Sequence, residues 1–336
     1  MSAHSVSDQP VSAVPERLTR RGASQRLRSR VLRFALPLLV LAVIVLAAIT
    51  TPQFFTFDNA RSVLINASVV GILAVGMTPI TLSGNFVSLA SQGSTVLSTM
   101  VVLGLLSIGV PVWLSIVVTL VVSVVVAGVQ GLIVAGGLNP VITTLAAGSV
   151  IYGVLTVVTR GTFVSAPGSS LAALATTSVI GLPLPVVLFL VYTVAMTLIV
   201  SKTVVGRHTL LVGANRSTSE ISGVSAARVT LIAFLSFGVG ATLAGLITAA
   251  QLGQITSGNL ASLTTDVIAA VLVGGVSIRG GEGSPVNSAV GAVLISIFSN
   301  VMLLQGLDEG SRLALVGALV VVLVIALHLL RRGGAR

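Results

Sequence analysis

The chain has 336 residues, of which 54% are hydrophobic and 8% charged, with a formal net charge of +10 and no cysteine. A soluble domain carries about 25% charged residues, so this balance excludes a soluble globular protein and leaves an integral membrane protein. The missing cysteines exclude disulfides and thiolate metal sites.

Residues 1–30 read as a basic, aperiodic cytoplasmic tail. Seven arginines (Arg17, Arg20, Arg21, Arg26, Arg28, Arg30, Arg33) precede the first apolar run. Clustered before a membrane segment, they mark its cytoplasmic flank and suit anionic lipid, so no nucleic-acid partner is expected. The run from Phe34 to Ile49 follows a basic region too long for a signal peptide and reads as a first anchor.

Crossing about 30 Å of hydrocarbon takes roughly 20 residues. The region 31–330 then reads as an all-α polytopic bundle with ten spans, near 32–50, 62–82, 89–108, 112–135, 140–158, 184–203, 229–250, 264–278, 286–305 and 312–330. The third and eighth are interrupted by polar or glycine-rich stretches, Ser88 to Ser98 and Gly274 to Gly283. Broken or re-entrant helices are expected there, which are tolerated where they are buried in protein or line a cavity. Ten spans put both termini, including the short tail 331–336, in the cytoplasm of a cell bounded by this plasma membrane.

The charges agree with that orientation. The seven N-terminal arginines join Lys202, Arg207, Arg216, Arg228, Arg279, Arg331, Arg332 and Arg336 on the inner side, fifteen in all, against Arg61, Arg160 and Arg312 outside. Small residues recur four apart at Ala67 and Gly71, Ala127 and Gly131, and Ala241 and Gly245, a spacing that lets helices approach closely. Two stretches are weakly alike: Leu73 through Gly84, and Val271 through Gly281, each running an apolar stretch into a glycine-rich break.

Little in the chain can carry bond chemistry. Lys202 is the only lysine and precedes Thr203, yet the glycines of a P-loop do not stand before it, so any ATP must be split by another chain. The three histidines are scattered, so neither a metal site nor a Ser-His-Asp set can be assembled. No catalytic residue, metal or cofactor is expected. Of eight acidic residues only Asp266 falls at a membrane helix, near its outer end. That scarcity disfavours an ion-coupled carrier, which needs buried carboxylates. A neutral, hydroxyl-rich solute would suit a path lined by Asn66, Asn85, Ser88, Gln92, Gln130, Asn139, Thr143, Asn300 and Asp266.

The long polar link 201–228 is the one segment shaped to meet a cytoplasmic partner. Within it, Gly213-Ala214-Asn215-Arg216-Ser217-Thr218-Ser219-Glu220-Ile221-Ser222-Gly223-Val224 frames a short helix between glycines. It resembles the coupling segment of ribose-type (monosaccharide) ABC importer permeases. Leu73-Ala74-Val75-Gly76-Met77-Thr78, Asn139-Pro140-Val141-Ile142-Thr143-Thr144-Leu145, and Asp266 through Ser277 followed by Gly280-Gly281-Glu282-Gly283 are similar to further signatures of that family, in the same order. The family's I-D-L-S-x-G after Ser83-Gly84 is replaced here by the longer Asn85-Phe86-Val87-Ser88-Leu89-Ala90-Ser91-Gln92-Gly93, with Ser88 nearest to its aspartate. The resemblance implies a permease subunit for a small neutral solute such as ribose, a second permease copy, separate ABC ATPases and an external solute-binding protein. It also implies coupling through Gly213, Asn215, Arg216, Glu220, Ser222 and Gly223. The competing reading is a stand-alone secondary transporter or channel, in which the polar link 201–228 would have nothing to do.

Overall fold

The computed structural model describes residues 51–332 except Pro167, Ser169 and Ile180. The basic tail and the expected span 32–50 lie outside the described residues. The longer helices are α1 (Phe57–Leu82), α2 (Ser91–Ser107), α3 (Val112–Ala135), α4 (Pro140–Thr159), α5 (Leu184–Lys202) and α6 (Val204–Ala214). They continue with the short α7 (Arg216–Ile221), then α8 (Ala226–Leu252), α9 (Leu263–Val273), α10 (Pro285–Leu304) and α11 (Glu309–Arg332). The bundle is helical, as expected. Two-residue strands add little: Val164 and Ser165 pair with Ile255 and Gln254, and Ser178–Val179 pairs with Leu182–Pro183.

Each expected span from the second to the tenth coincides with a helix. Among the described residues, α1, α3, α4, α5, α8 and α10 are the six long and apolar enough to cross a membrane, and α2 and α9 are shorter apolar helices. Six of the ten expected spans are thus matched on length and apolarity among the described residues, and the span 32–50 lies outside them. Local chemistry explains the two short ones. After Leu82 the chain passes through Gly84 at φ +80° and a non-helical stretch from Asn85 before α2 starts at Ser91, and α9 stops at Gly274-Gly275, with Gly275 at φ +78°.

Helix ends follow ordinary rules. Asn139 caps α4, its side-chain oxygen accepting from the Val141 amide at 2.9 Å, with Pro140 in the first turn where its missing N–H costs nothing. Ser225 and Ser284 cap α8 and α10 in the same way.

The axis of the bundle is α1. The apolar window of α1 is 83% buried, against 22% for α4, so α1 runs through the middle and α4 forms a face. Helices α10 and α8 pack on α1, and α3 packs on α8. Phe234 and Phe237 of α8 are fully buried with Ile72, Leu73 and Met77 of α1. The small residues sit at these crossings: Gly238 against Ala127 and Ser123, Gly131 against Phe234, Gly245 against Ser98. Polar stitches accompany them. Ser98 and Ser123 share a hydrogen bond at 2.7 Å, and Thr99 Oγ1 donates to the Gly245 carbonyl at 3.1 Å. These are the close, small-residue contacts of a membrane bundle, where apolar side chains alone give no preference over lipid.

Candidate functional site

At one end of the bundle α6 and α7 form a hairpin that is keyed into the membrane helices. Gly213, in the last turn of α6, lies so close to the end of α1 that an added Cβ would collide with the Leu82 carbonyl oxygen and sit 2.6 Å from the Gly281 nitrogen. The Gly281 amide itself donates to that carbonyl at 2.9 Å. A Cβ on Gly280 would fall 2.6 Å from the Gly84 Cα and 3.0 Å from the Gly213 Cα. Three chain segments thus meet backbone to backbone: the break after α1, the end of α6 and the α9–α10 loop. The two weakly similar glycine breaks of the sequence touch each other here.

The sequence suggested Gly213 and Gly223 as paired entry and exit turns. Gly213 is helical instead, and glycine is needed there for closeness. The entry turn belongs to Asn215, whose side chain caps α7 by accepting from the Thr218 amide at 3.1 Å. Gly223 does form the exit turn, at φ +80°, a backbone region costly for other residues. On α7, Arg216 and Glu220 are 3.4 Å apart and both about half exposed, and Ser222 Oγ donates back to the Thr218 carbonyl at 2.9 Å.

A second feature lies deeper. The starts of α2 and α9 meet. The Gln92 amide donates to Thr264 Oγ1 at 2.9 Å, and Gln92 Nε2 donates to the Asn259 carbonyl at 3.1 Å. With 11 residues, α9 is about 16 Å long, roughly half of the hydrocarbon thickness. Beside this junction Gln92, Gly93, Leu145, Gly148, Ser149, Tyr152 and Ser257 line a groove of about 290 Å³.

The remaining expected path residues do not converge on it. Asn85 is buried, its Nδ2 donating to Ser83 Oγ at 2.9 Å and Thr230 Oγ1 at 3.1 Å, and Ser88 is buried, its Oγ accepting from the Ala90 amide at 3.3 Å. Asn139 is an exposed helix cap. Thr143 lines an apolar groove between α3 and α4 together with Gln130. Asp266 and Asn300 share a polar pocket of about 230 Å³ at the end remote from the hairpin, with Asn66, Gln251, Ser296 and Arg312.

Residues 59–327 match the family model described as branched-chain amino acid transport system / permease component. The chain belongs to this permease family. It is 32% identical over 296 residues to a ribose import permease of Haemophilus influenzae, covering 85% of this chain and 90% of that one. The corresponding protein of Bacillus subtilis is 31% identical, over 84% of this chain and 88% of its own. An L-arabinose transport system permease of Escherichia coli is 32% identical, over 86% of this chain and 88% of its own. No solved structure matches it.

Two features of the permease escaped the sequence reading. Ile221, the last residue of α7, is 89% exposed, although a β-branched apolar side chain there gains nothing from water. Its one signal was an isoleucine inside an otherwise polar run. Arg312 was assigned to an outer loop, yet the structure places it in the polar pocket facing the same space as Asp266. Its position one turn into α11, with an otherwise apolar stretch behind it, was the available hint.

Proposed function

We propose that this permease is the membrane subunit of an ABC importer for a small neutral sugar such as ribose, working as a pair with a second permease chain. ATPase chains would sit below it and an external solute-binding protein above it. The single observation that carries the reading is the backbone contact of Gly213 with Leu82 and Gly281. A hairpin held to the bundle by side chains alone would slip when pushed. One seated on carbonyls and glycine Cα atoms moves the end of α1 and the α9–α10 loop with it. Exposed Ile221, with Arg216 and Glu220 on the same short helix, gives an apolar spot rimmed by charge, the composition of a protein contact.

In this reading the hairpin end is cytoplasmic, the chain crosses ten times and both termini lie inside. Lys202, Arg207, Arg216, Arg228 and Arg279 gather at the hairpin end, and Arg61, Arg160 and Arg312 at the other. ATP binding would close the ATPases on the hairpin. The three-segment contact would pass that movement through the linker 83–90 to α2 and through the α9–α10 loop to α9, and the starts of α2 and α9 meet at Gln92. Residues Asn85, Ser88, Gln92, Asn139, Thr143, Asp266 and Asn300 are assigned to the solute path or to its walls. The relatives named for ribose and arabinose support the solute class, and the uncharged junction at Gln92 suits it.

The test is reconstitution of the permease with its ATPase and binding protein in proteoliposomes. ATP-dependent uptake of labelled ribose or arabinose is expected. Uptake by the permease alone, driven by a proton or sodium gradient, would establish the stand-alone carrier instead.

A further inference from the structure

Tyr192, near the centre of α5, is 8% exposed, and its hydroxyl donates to the Ser236 carbonyl of α8 at 2.7 Å. Glycines make room for it. A Cβ on Gly76 of α1 would lie 2.9 Å from that hydroxyl, and one on Gly240 of α8 would lie 3.1 Å from it. One turn earlier on α5, the Phe189 ring fills the space that a Cβ on Gly71 would need. Two aromatic rings of α5 therefore sit in glycine slots, and one of them carries a hydroxyl. A phenylalanine would fill the slot at 192 equally well, so packing does not account for the oxygen. A buried tyrosine hydroxyl needs a partner, and this one takes a carbonyl from inside another helix.

The place of the bond gives it a role. Helix α5 leads into the hairpin and α8 leads out of it. Tyr192 stands ten residues before Lys202, and Ser236 ten residues after Ala226, about 15 Å along each helix. The 11 residues of α6 span about 16 Å, so three struts of nearly equal length are joined end to end. The other two corners are closed as well. Where α6 folds back on α5, Gly206 lies against the Val200 carbonyl with no room for a Cβ. Where α6 meets α8, Val212 packs with Ala226 and Val229 in a buried cluster. Helices α5 and α8 have little other contact. Three struts fixed at three corners cannot shear, whereas with the Tyr192 corner open α5 could slide past α8.

We infer that Tyr192 is a positioning residue for transport: its hydroxyl closes a rigid frame of α5, α6 and α8, so that a push on the hairpin turns the frame as one body. The inference rests on the importer reading, in which that push comes from ATP.

The experiment uses the permease with its ATPase and binding protein in proteoliposomes, and reads uptake of labelled D-ribose or L-arabinose together with ATP hydrolysis. Tyr192→Phe keeps the ring and removes one oxygen. An average hydrogen bond between membrane helices shifts a two-state balance about threefold, so sugar carried per ATP hydrolysed should fall by about that factor, at an unchanged half-saturating sugar concentration. Thr197→Val, which removes an α5 hydroxyl bonded within its own helix, should leave the ratio unchanged. A ratio in Tyr192→Phe equal to that of the unmodified complex, or uptake and hydrolysis falling in step, would overturn the frame. A second measurement keeps Tyr192 in place and decides the matter if the phenylalanine variant fails to fold. The chain has no cysteine, so Val194→Cys and Ala227→Cys, both at exposed positions, put two spin labels on the frame in a complex whose ATPase is also cysteine-free. Their separation should be the same without nucleotide and with ATP and vanadate, while the separation between labels at Ala227→Cys and at Val157→Cys of α4 should change. A frame distance that changes, or a distance to α4 that does not, overturns the inference. Normal ATP-driven uptake alongside any of these results would remove the frame and leave the importer; no ATP-driven uptake in the unmodified complex would remove the importer and the frame with it.

Discussion

Gly213→Ala tests whether the hairpin drives the bundle. The added methyl group meets backbone on two sides, the Leu82 carbonyl and the Gly281 nitrogen at 2.6 Å, and neither can rotate away. Overpacking of this kind costs about 1–3 kcal/mol. Parting the Gly281–Leu82 hydrogen bond adds about 0.5–1.5 kcal/mol, so the hairpin should lose roughly 2–4 kcal/mol of its hold on the bundle. Gly223 provides the contrast. Nothing lies within 4 Å of a Cβ there, so Gly223→Ala carries only left-handed backbone strain of about 1–2 kcal/mol. ATP hydrolysis by the complex in lipid discs, with and without loaded binding protein, gives the readout. Gly213→Ala should lose most of the stimulation at normal membrane abundance, and Gly223→Ala should keep more of it. Gly223→Trp, which puts bulk on the exposed docking side, should abolish it. Full stimulation in Gly213→Ala would refute the argument that the three-segment contact transmits the stroke.

Charge reversal at Glu220 breaks an ion pair whose members are 52% and 56% exposed, worth at most a few tenths of a kcal/mol to the helix; loss of stimulated hydrolysis in Glu220→Arg would thus report docking to the ATPase, and unchanged hydrolysis would free Glu220 of that role. Asp266→Asn should retain partial uptake, since an acid in the first turn of a helix contributes about 0.3–1 kcal/mol and the amide keeps an acceptor, whereas complete loss at normal abundance would make the charge itself part of transport. Asn85→Ala should lower the thermal stability of the purified complex by leaving Ser83 and Thr230 without their shared donor, a loss of about 1–3 kcal/mol; an unchanged melting temperature would show water filling the gap. A phosphatase fusion after Arg336, active only outside the cell, should be silent, and activity there would overturn the inward placement of the C-terminus.

Helix placement was legible because apolar runs of membrane length leave few alternatives. The expected 112–135 and the observed Val112–Ala135 coincide. Even the interruptions were visible, since Gly84 and Gly274-Gly275 announce where a helix cannot continue. The path was less legible. Asn85 and Gln92 are seven residues apart and equally polar, but one is locked to Ser83 and Thr230 and the other reaches Asn259. Which neighbour a polar side chain finds depends on contacts between distant helices, and composition carries no record of them. The same holds for Gly213. A glycine that permits a turn and a glycine that permits contact look alike in sequence.

The brevity of α9 bears on how the protein enters its membrane. A segment recognised on its own for insertion needs about 20 apolar residues, and α9 has 11. It cannot be handed to lipid as an independent span, because the polar backbone before Leu263 would follow it into hydrocarbon unpaired. The partners that satisfy this region come from elsewhere: Gln92 for the Asn259 carbonyl, Val164–Ser165 for the strand at Gln254–Ile255. The stretch from the end of α8 to the start of α10 must therefore wait, shielded from lipid, until α2 and the α4–α5 link are in place and α10 has been made. Assembly is then ordered by the chain itself, with α9 among the last pieces to seat.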